Sequence, residues 1–272
     1  MWTSGLTFLP IAACRPTLPL FVFLPGMDGT GDLFHVQAPR LEATFDIRCL
    51  AIARHDQSSW RDLANQAIAL IQQELAHRPN RTVYLCGESF GACLALQVAR
   101  LAPTLCHRLI LVNPASSFHH KNWLHWATSL TSWVPAPLYH LSSVGFLPWL
   151  AALPRISPRD RQALLKAMQS VPQTTSAWRL SLLQKFAMPL PVLRALSLPT
   201  LLIAGALDRL LPSVDEIQRL AQALPQAETV ILPQSGHACL LETDVDLFAI
   251  MRECGFLDAI APPCPLSVPH AP

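Results

Sequence analysis

Short apolar runs alternate with longer amphipathic segments along most of this chain. The apolar runs predict strands over 18–24, 45–52, 82–86, 108–113, 200–204 and 229–232. Apolar residues recur at helical spacing over 60–76, 91–100, 214–223 and 238–254, which predicts helices there. Strands that alternate with helices form a mostly parallel sheet with helices on both faces, so the pattern predicts an α/β fold.

The alternation stops between residues 117 and 196, and this segment is predicted to be a helical lid inserted into the fold. It holds five of the seven tryptophans and eight Lys and Arg against one acid, Asp160, a net charge of +7 that leaves −5 on the remainder. We expect a core built from 18–116 and 197–257, preceded by an N-terminal segment over 1–17. The proline-rich stretch 258–272 is expected to be a loose tail.

Residues 122–154 of the lid contain no Lys, Arg, Asp or Glu, but Pro135, Pro137 and Pro148 interrupt them. An interrupted helix leaves backbone groups unsatisfied in lipid, which argues against a membrane-spanning helix. An amphipathic lid that lines an apolar pocket fits better. The candidate substrate-binding residues are Trp123, Trp126, Trp133 and Trp149. Two alternatives stay open: a cap packed wholly on the body, and a lid that rests on an anionic membrane surface.

The composition of the chain restricts its possible functions and its possible cellular locations. The net charge of +2 over 272 residues gives no electrostatic argument for nucleic-acid binding. None of the eight cysteines forms a Cys-x-x-Cys pair, so we expect core thiols in a reducing compartment and neither a metal site nor another cofactor. No basic segment precedes an apolar run at the N-terminus, so secretion is not predicted. We expect a cytoplasmic protein, with peripheral attachment to an internal, thylakoid-type membrane as the alternative.

The sequence Gly-Glu-Ser-Phe-Gly at 87–91 carries the strongest chemical signal. It follows the predicted strand 82–86 and opens the predicted helix 91–100. A nucleophile elbow needs this context, because a strained strand-to-helix turn projects the serine hydroxyl clear of the backbone. The helix N-terminus also favours negative charge nearby. Ser89 is therefore the candidate nucleophile of a serine hydrolase or of an acyltransferase with the same machinery.

A serine nucleophile needs a base that an acid orients. Asp208 follows the strand 200–204 and His237 follows the strand 229–232, where an open α/β sheet places its site. The order Ser, Asp, His is that of the α/β-hydrolases. The rivals are Asp28, Asp56, His55, His119, His120 and His125. We expect Asp208 and His237 to complete the triad, because the rival histidines do not follow a strand in that order.

An oxyanion hole would come from backbone N–H groups. One is that of Phe90, directly after the nucleophile, and the other belongs to the loop 25–31 after the first predicted strand. Met27 is the first candidate in that loop and Asp28 the second. The glycines of this loop match neither a phosphate-binding loop nor the dinucleotide fingerprint, so nucleotide binding is not expected.

Four segments of the chain resemble the α/β-hydrolase part of the phytyl ester synthase family of plastids and cyanobacteria. They are Phe23-Leu-Pro-Gly-Met-Asp-Gly-Thr-Gly31, Phe45-Asp-Ile-Arg-Cys-Leu50, Tyr84-Leu-Cys-Gly-Glu-Ser-Phe-Gly-Ala-Cys-Leu-Ala-Leu96 and Leu111-Val-Asn-Pro-Ala-Ser-Ser-Phe118. The resemblance implies an α/β-hydrolase fold with Ser89, Asp208 and His237 at the nucleophile, acid and base positions. It also implies fatty acyl chemistry, since longer family members are similar to acyltransferases that esterify phytol and diacylglycerol.

Those longer members carry a second, acyltransferase-like domain after the hydrolase part. No His-x-x-x-x-Asp motif occurs in these 272 residues, so we expect hydrolysis rather than transfer. The predicted function is a serine esterase or lipase acting on a long-chain acyl ester, with phytyl and glycerolipid esters as candidates. The alternatives are an acyltransferase that acylates an isoprenoid alcohol or makes triacylglycerol, and a non-catalytic lipid-binding protein on a hydrolase fold.

Overall fold

One sheet of seven strands runs through the computed structural model, which describes residues 5–76, 78–120 and 145–257. The strands are Leu6–Leu9 (β1), Leu20–Leu24 (β2), Asp46–Ile52 (β3), Val83–Glu88 (β4), Arg108–Val112 (β5), Thr200–Gly205 (β6) and Ala227–Leu232 (β7). Their order across the sheet is β1-β3-β2-β4-β5-β6-β7, and only β1 runs antiparallel to its neighbour. The predicted mostly parallel sheet is confirmed, with small shifts at the strand ends.

The strand β1 was not predicted from the sequence. It pairs with β3 from Leu6 opposite Ile52 to Leu9 opposite Cys49, at the edge of the sheet. Its four residues are only half-buried and Pro10 follows them, so the hydrophobic pattern is too short to indicate a strand. The sheet therefore extends into the N-terminal segment that we placed outside the core.

Helices cover both faces of the sheet, as the alternation predicts. They are Ala38–Leu41 (α1), Trp60–Leu75 (α2), Phe90–Leu101 (α3), Pro158–Ser170 (α4), Gln173–Gln184 (α5), Leu190–Arg194 (α6), Ser213–Ala221 (α7) and Leu247–Glu253 (α8). Alternate residues of β4 belong to different core clusters: Val83 and Leu85 pack with α2, α3 and α7, whereas Tyr84 and Cys86 pack with α1 and α8. This two-sided burial explains why the central strands read as continuous apolar runs.

The predicted helix over 238–254 is wrong in its extent. A 3₁₀ turn at Cys239–Leu241 and the helix α8 replace it. Between them Glu242 is fully buried and accepts a hydrogen bond from Gly236 N at 2.8 Å. Asp246 then accepts a hydrogen bond from Ala249 N at 3.0 Å and caps α8. These side-chain bonds to the backbone end one helical segment and start the next.

Helices α4, α5 and α6, together with helical residues 145–150, lie within the segment predicted to form the lid. Helix α5 is anchored on the core, because Trp60 Nε1 donates to Leu182 O at 2.9 Å and Trp178 Nε1 donates to Ser58 O at 3.1 Å. The predicted tail over 258–272 lies outside the described residues. Within the described ranges, no helix is both long enough and apolar enough to cross a membrane.

Candidate active site

Ser89 lies at the turn between β4 and α3 in a strained backbone conformation. Its φ is 54° and its ψ is −111°, which side-chain-bearing residues rarely adopt. Gly91, two residues on, packs directly on the chain after β2: an added Cβ would lie 2.1 Å from Leu24 O. Glycine is therefore required for this close approach, and the turn has the geometry that the Gly-Glu-Ser-Phe-Gly motif predicts.

The three side chains singled out from the sequence form one hydrogen-bonded chain. His237 Nε2 lies 2.8 Å from Ser89 Oγ, and His237 Nδ1 lies 2.7 Å from Asp208 Oδ2. The Asp208 and His237 side chains are only 1% and 5% exposed. With the imidazole proton on Nδ1, that nitrogen donates to Asp208 and Nε2 accepts from the Ser89 hydroxyl. This arrangement allows Ser89 to lose its proton to His237 as it attacks an electrophile.

Asp208 is held in place by three donors besides His237. The backbone N–H groups of Leu210 and Leu211 donate to Oδ1 at 2.8 and 3.0 Å, and the Ser213 hydroxyl donates to Oδ2. With His237 included, each carboxylate oxygen has two hydrogen-bond partners. These bonds fix the orientation of the carboxylate toward the imidazole. The position of Asp208 just after β6 agrees with the rule that placed it in the sequence.

The opposite charges of Asp208 and His237 stabilise each other. Burial on its own raises the pKa of Asp208, but the charge of His237 and the hydrogen bonds from His237, Ser213 and Leu211 lower that pKa below its usual value. Burial also opposes the charged form of His237, yet Asp208 and then Glu88 raise the pKa of the imidazole above its usual value. Both carboxylates thus favour the charged form of the imidazole, as a base that takes a proton from Ser89 would require.

Asn113 joins the loops that carry Asp208 and His237. It follows β5 with a φ of 43°, and its Nδ2 donates to His237 O at 2.6 Å and to Gly236 O at 3.2 Å. Its Oδ1 accepts from Gly205 N, at the end of β6, at 2.8 Å. A buried amide with both ends bonded fixes the ends of neighbouring strands relative to each other. This role was missed from the sequence, although the position directly after an apolar strand was a usable signal.

Both predicted oxyanion-hole amides lie at the sheet edge where Ser89 emerges. Phe90 is the first residue of α3, so its N–H has no acceptor within the helix. Met27 lies in the turn after β2, which Gly29 N closes by donating to Gly26 O at 3.0 Å. Since β2 and β4 are parallel neighbours, this turn and the Ser89 turn leave the sheet side by side. The two predicted donors therefore lie on neighbouring turns, as an oxyanion hole requires.

Residues 145–150, in the segment predicted to form the lid, lie against the loop that carries His237. Ala238 N donates to Leu150 O at 2.8 Å, and Trp149 on the same segment is 51% exposed. Trp149 is therefore near the site, with half of its surface left uncovered by the described residues. The other predicted substrate-binding residues, Trp123, Trp126 and Trp133, lie outside the described residues.

Glu88, directly before Ser89, was also missed from the sequence. Its Oε1 is shielded from solvent and has no hydrogen-bond partner among the described residues. Burial raises the pKa of this carboxyl to about 7, against a lowering by His237 and with a further rise from Asp28. Glu88 therefore changes its charge near neutral pH beside the imidazole.

The rival residues have other roles or positions. Asp28 accepts hydrogen bonds from Thr30, and Asp56 accepts them from Ser58, so both carboxylates stabilise local turns. His55 is exposed, and the side chains of His119 and His120, like the whole of His125, lie outside what the structure describes. Among the residues that the structure describes, no group of His, Cys, Asp and Glu side chains has the arrangement of a metal site.

This sheet, with the serine turn after its central strand and the acid and histidine after later strands, defines the class of the protein. The chain belongs to the α/β-hydrolase fold family, whose sequence pattern matches residues 19–244.

Among curated proteins the chain is similar to phytyl ester synthase 1 of Arabidopsis thaliana chloroplasts, with 31% identity over 91% of this chain and 39% of that protein. It thus spans about two fifths of the length of that relative. A Klebsiella pneumoniae (strain 342) protein, provisionally named carbamate hydrolase RutD, is 27% identical over 91% of this chain and 94% of its own. The solved structure of MenH from S. aureus superposes with a TM-score of 0.72 and 17% identity, over 94% of this chain and 98% of that one. This last likeness shows the shared fold.

Proposed function

We propose that this protein is a serine hydrolase that cleaves long-chain acyl esters through an acyl-enzyme. The observation that carries the proposal is the chain of hydrogen bonds from Ser89 through His237 to Asp208, with the serine on a strained turn. A strained serine next to a buried histidine–carboxylate pair serves nucleophilic catalysis.

In the proposed mechanism His237 Nε2 takes the hydroxyl proton as Ser89 Oγ attacks the acyl carbonyl carbon. The negative charge that develops on the carbonyl oxygen is bound by the N–H groups of Phe90 and Met27. The intermediate collapses, the C–O bond of the ester breaks, and the leaving alcohol takes the proton from His237. Water then attacks the acyl group on Ser89, with His237 again as the base, and releases the fatty acid.

The apolar lid supports a long acyl or isoprenoid substrate. Next to His237, Leu147 and Leu150 pack in an apolar cluster, and Trp149 is left half-exposed. A long hydrocarbon chain gains binding free energy from such a wall, whereas a small polar ester gains little. Phytyl and glycerolipid esters both fit this class.

Transfer to an alcohol is the second candidate, and the similarity to phytyl ester synthase 1 favours it. The chemistry is the same as far as the acyl-enzyme. An isoprenoid alcohol or diacylglycerol then replaces water as the acceptor when the lid excludes water from the site.

Contact with an anionic membrane is a further part of the proposal. Phe146 and Trp149 are exposed on the described part of the lid. The exposed cations of the same part are Arg159, Lys166, Lys185 and Arg194. Exposed apolar side chains together with exposed cations are typical of a surface that lies on lipid headgroups.

The test is to incubate the purified protein with a long-chain acyl ester, with and without added phytol, and to resolve the products. We expect free fatty acid in both reactions. A phytyl ester formed at the expense of the acid would identify a transferase. No product and no reaction of Ser89 with a fluorophosphonate probe would favour a non-catalytic lipid-binding protein.

The charge of Glu88 should appear in the pH dependence of the reaction. Activity needs neutral His237, and the Glu88 carboxylate raises the pKa of that imidazole, so activity is lost as the pH falls through the raised pKa. We expect Glu88→Gln to move the acid limb of the kcat/KM profile to lower pH by up to about one unit. The matched control is Glu253→Gln, which removes an exposed carboxylate from α8 and should leave the limb in place. An unmoved limb in Glu88→Gln would show that the two groups do not interact.

A further inference from the structure

A lid arginine reaches into the loop that forms one side of the candidate oxyanion hole. Arg179, on α5, is 2% exposed and is the largest fully buried side chain among the described residues. Its Nη1 donates to Met27 O at 2.7 Å and to Asp28 O at 3.0 Å, and Nη2 lies 3.4 Å from Ala53 O. Its partners are therefore main-chain carbonyls, two of them from the turn 26–29.

A contribution to fold stability does not explain why Arg179 is buried. Burial lowers the pKa of the guanidinium, which Asp28 and Asp56 raise only in part, and no carboxylate among the described residues lies within ion-pair distance. A buried guanidinium stays charged, and taking that charge out of water without a close carboxylate partner is unfavourable. The residues around Arg179 nevertheless leave space for its guanidinium group.

Gly29 makes that room. Its φ is +68°, and a Cβ built on it would lie 2.7 Å from Arg179 Nη1. Any larger residue at this position would be strained and would push the guanidinium away from the turn. The second glycine of the Pro-Gly-Met-Asp-Gly-Thr-Gly loop is thus explained by the arginine, and the two residues act together.

The two carbonyls that Arg179 holds belong to the peptide groups directly after the predicted donor. In a trans peptide the C=O and N–H bonds point to opposite sides, so fixing Met27 O toward Arg179 turns the Asp28 N–H away from it. The same contact restricts Met27, which lies between this peptide and the Gly26 turn. A cation at Met27 O also polarises the peptide group that follows Met27, so the N–H that it strengthens as a donor is that of Asp28, the second candidate in this loop.

We propose that Arg179 is a positioning residue that holds the oxyanion loop in its reactive conformation and so couples catalysis to the seating of helix α5. The inference rests on the proposed serine hydrolase function. Oxyanion donors act only when they are aimed at the developing charge before the reaction. Loss of Arg179 therefore lowers the rate of the chemical step more than it weakens ester binding.

The experiment compares wild type with Arg179→Met and Arg179→Lys, using a long-chain acyl ester and the matching thionoester. In the thionoester, sulfur carries the developing charge and fits poorly into an oxyanion hole shaped for oxygen. The oxo-to-thiono ratio of kcat/KM therefore measures how much the oxyanion hole contributes to the rate. We expect Arg179→Met to lower kcat on the oxo-ester by about 10²- to 10³-fold, with KM changed little and the ratio moved toward one. Arg179→Lys keeps the positive charge but offers one ammonium group in place of the two guanidinium nitrogens. It should recover part of the lost kcat and part of the wild-type oxo-to-thiono ratio.

Arg161→Met is the matched control, because Arg161 donates to Ile156 O at 2.9 Å within the lid and does not touch the loop. It should keep the wild-type ratio. Equal losses on both esters in the Arg179 variants, or wild-type kcat in a folded Arg179→Met, would overturn the inference while the hydrolase function stands. A wild type that neither cleaves the ester nor reacts with a fluorophosphonate would overturn both.

Discussion

Replacing Ser89 with alanine is expected to slow ester cleavage by about 10⁶-fold, to a rate supported only by binding and the oxyanion hole. Without the hydroxyl, His237 has no proton to take and no acyl-enzyme forms. The fold should remain, because backbone bonds hold the turn: Ser89 N donates to Val112 O at 2.9 Å and Ser89 O accepts from Ala92 N at 3.1 Å. The measurement is single-turnover and steady-state cleavage of a long-chain acyl ester.

The control for this variant is Ser170→Ala. The Ser170 hydroxyl donates to Ala167 O within α4, so its loss removes a serine from the lid without touching the site. That variant should keep wild-type turnover and should still react with a fluorophosphonate, whereas Ser89→Ala should not react. Turnover near the wild-type rate in Ser89→Ala would exclude Ser89 as the nucleophile.

The second large effect is expected for Asp208→Asn, a loss of about 10⁴-fold in kcat. The N–H groups of Leu210 and Leu211 donate to one carboxylate oxygen, so the asparagine oxygen takes that place. Its amide nitrogen then faces His237 Nδ1 and donates to it. The imidazole proton moves to Nε2, which can no longer accept the proton of Ser89.

The pH–rate profile distinguishes this loss from simple damage to the site. With the carboxylate gone, the pKa of His237 loses its main raising influence, so the acid limb of the residual activity moves to lower pH. Asp215→Asn is the control, because Asp215 is exposed on α7 and its variant should match wild type. If Asp208→Asn kept most of its activity, Glu88 would be the next candidate for the acid, since its charge also acts on His237.

The elements that the sequence predicted well are the buried strands and the loops that follow them. A central parallel strand is covered on both sides, so β2, β4 and β6 each appear as an unbroken apolar run. Ser89 and Asp208 each follow such a run, whereas His237 follows β7, an edge strand that is only partly buried. Because the C-terminal ends of parallel strands meet at one edge, their order along the chain was enough to predict that they come together.

The edge strand and the capped helix ends were harder to predict. The strand β1 is half-exposed and draws its stability from pairing with β3, which its own four residues do not reveal. The break after Leu241 depends on the buried carboxylate of Glu242. This carboxylate accepts from Gly236 N in the preceding loop and from Arg155 Nε, which lies 87 positions earlier in the chain. Local periodicity carries no information about such partners.

By itself the sequence determined the α/β sheet, the position of the serine turn and the three residues, Ser89, Asp208 and His237, that form one hydrogen-bonded chain, because all of these follow from local patterns and their order. Only the tertiary structure decided what holds them in place. Asn113 joins the ends of β5 and β6 to the loop that carries His237, and Glu88 places a titrating carboxyl beside the imidazole. Arg179 reaches from the lid to carbonyls about 150 positions earlier in the chain. These contacts join residues that are far apart in the sequence. The sequence alone does not distinguish Arg179 or Asn113 from other polar residues, because their roles depend on partners that only the fold brings close.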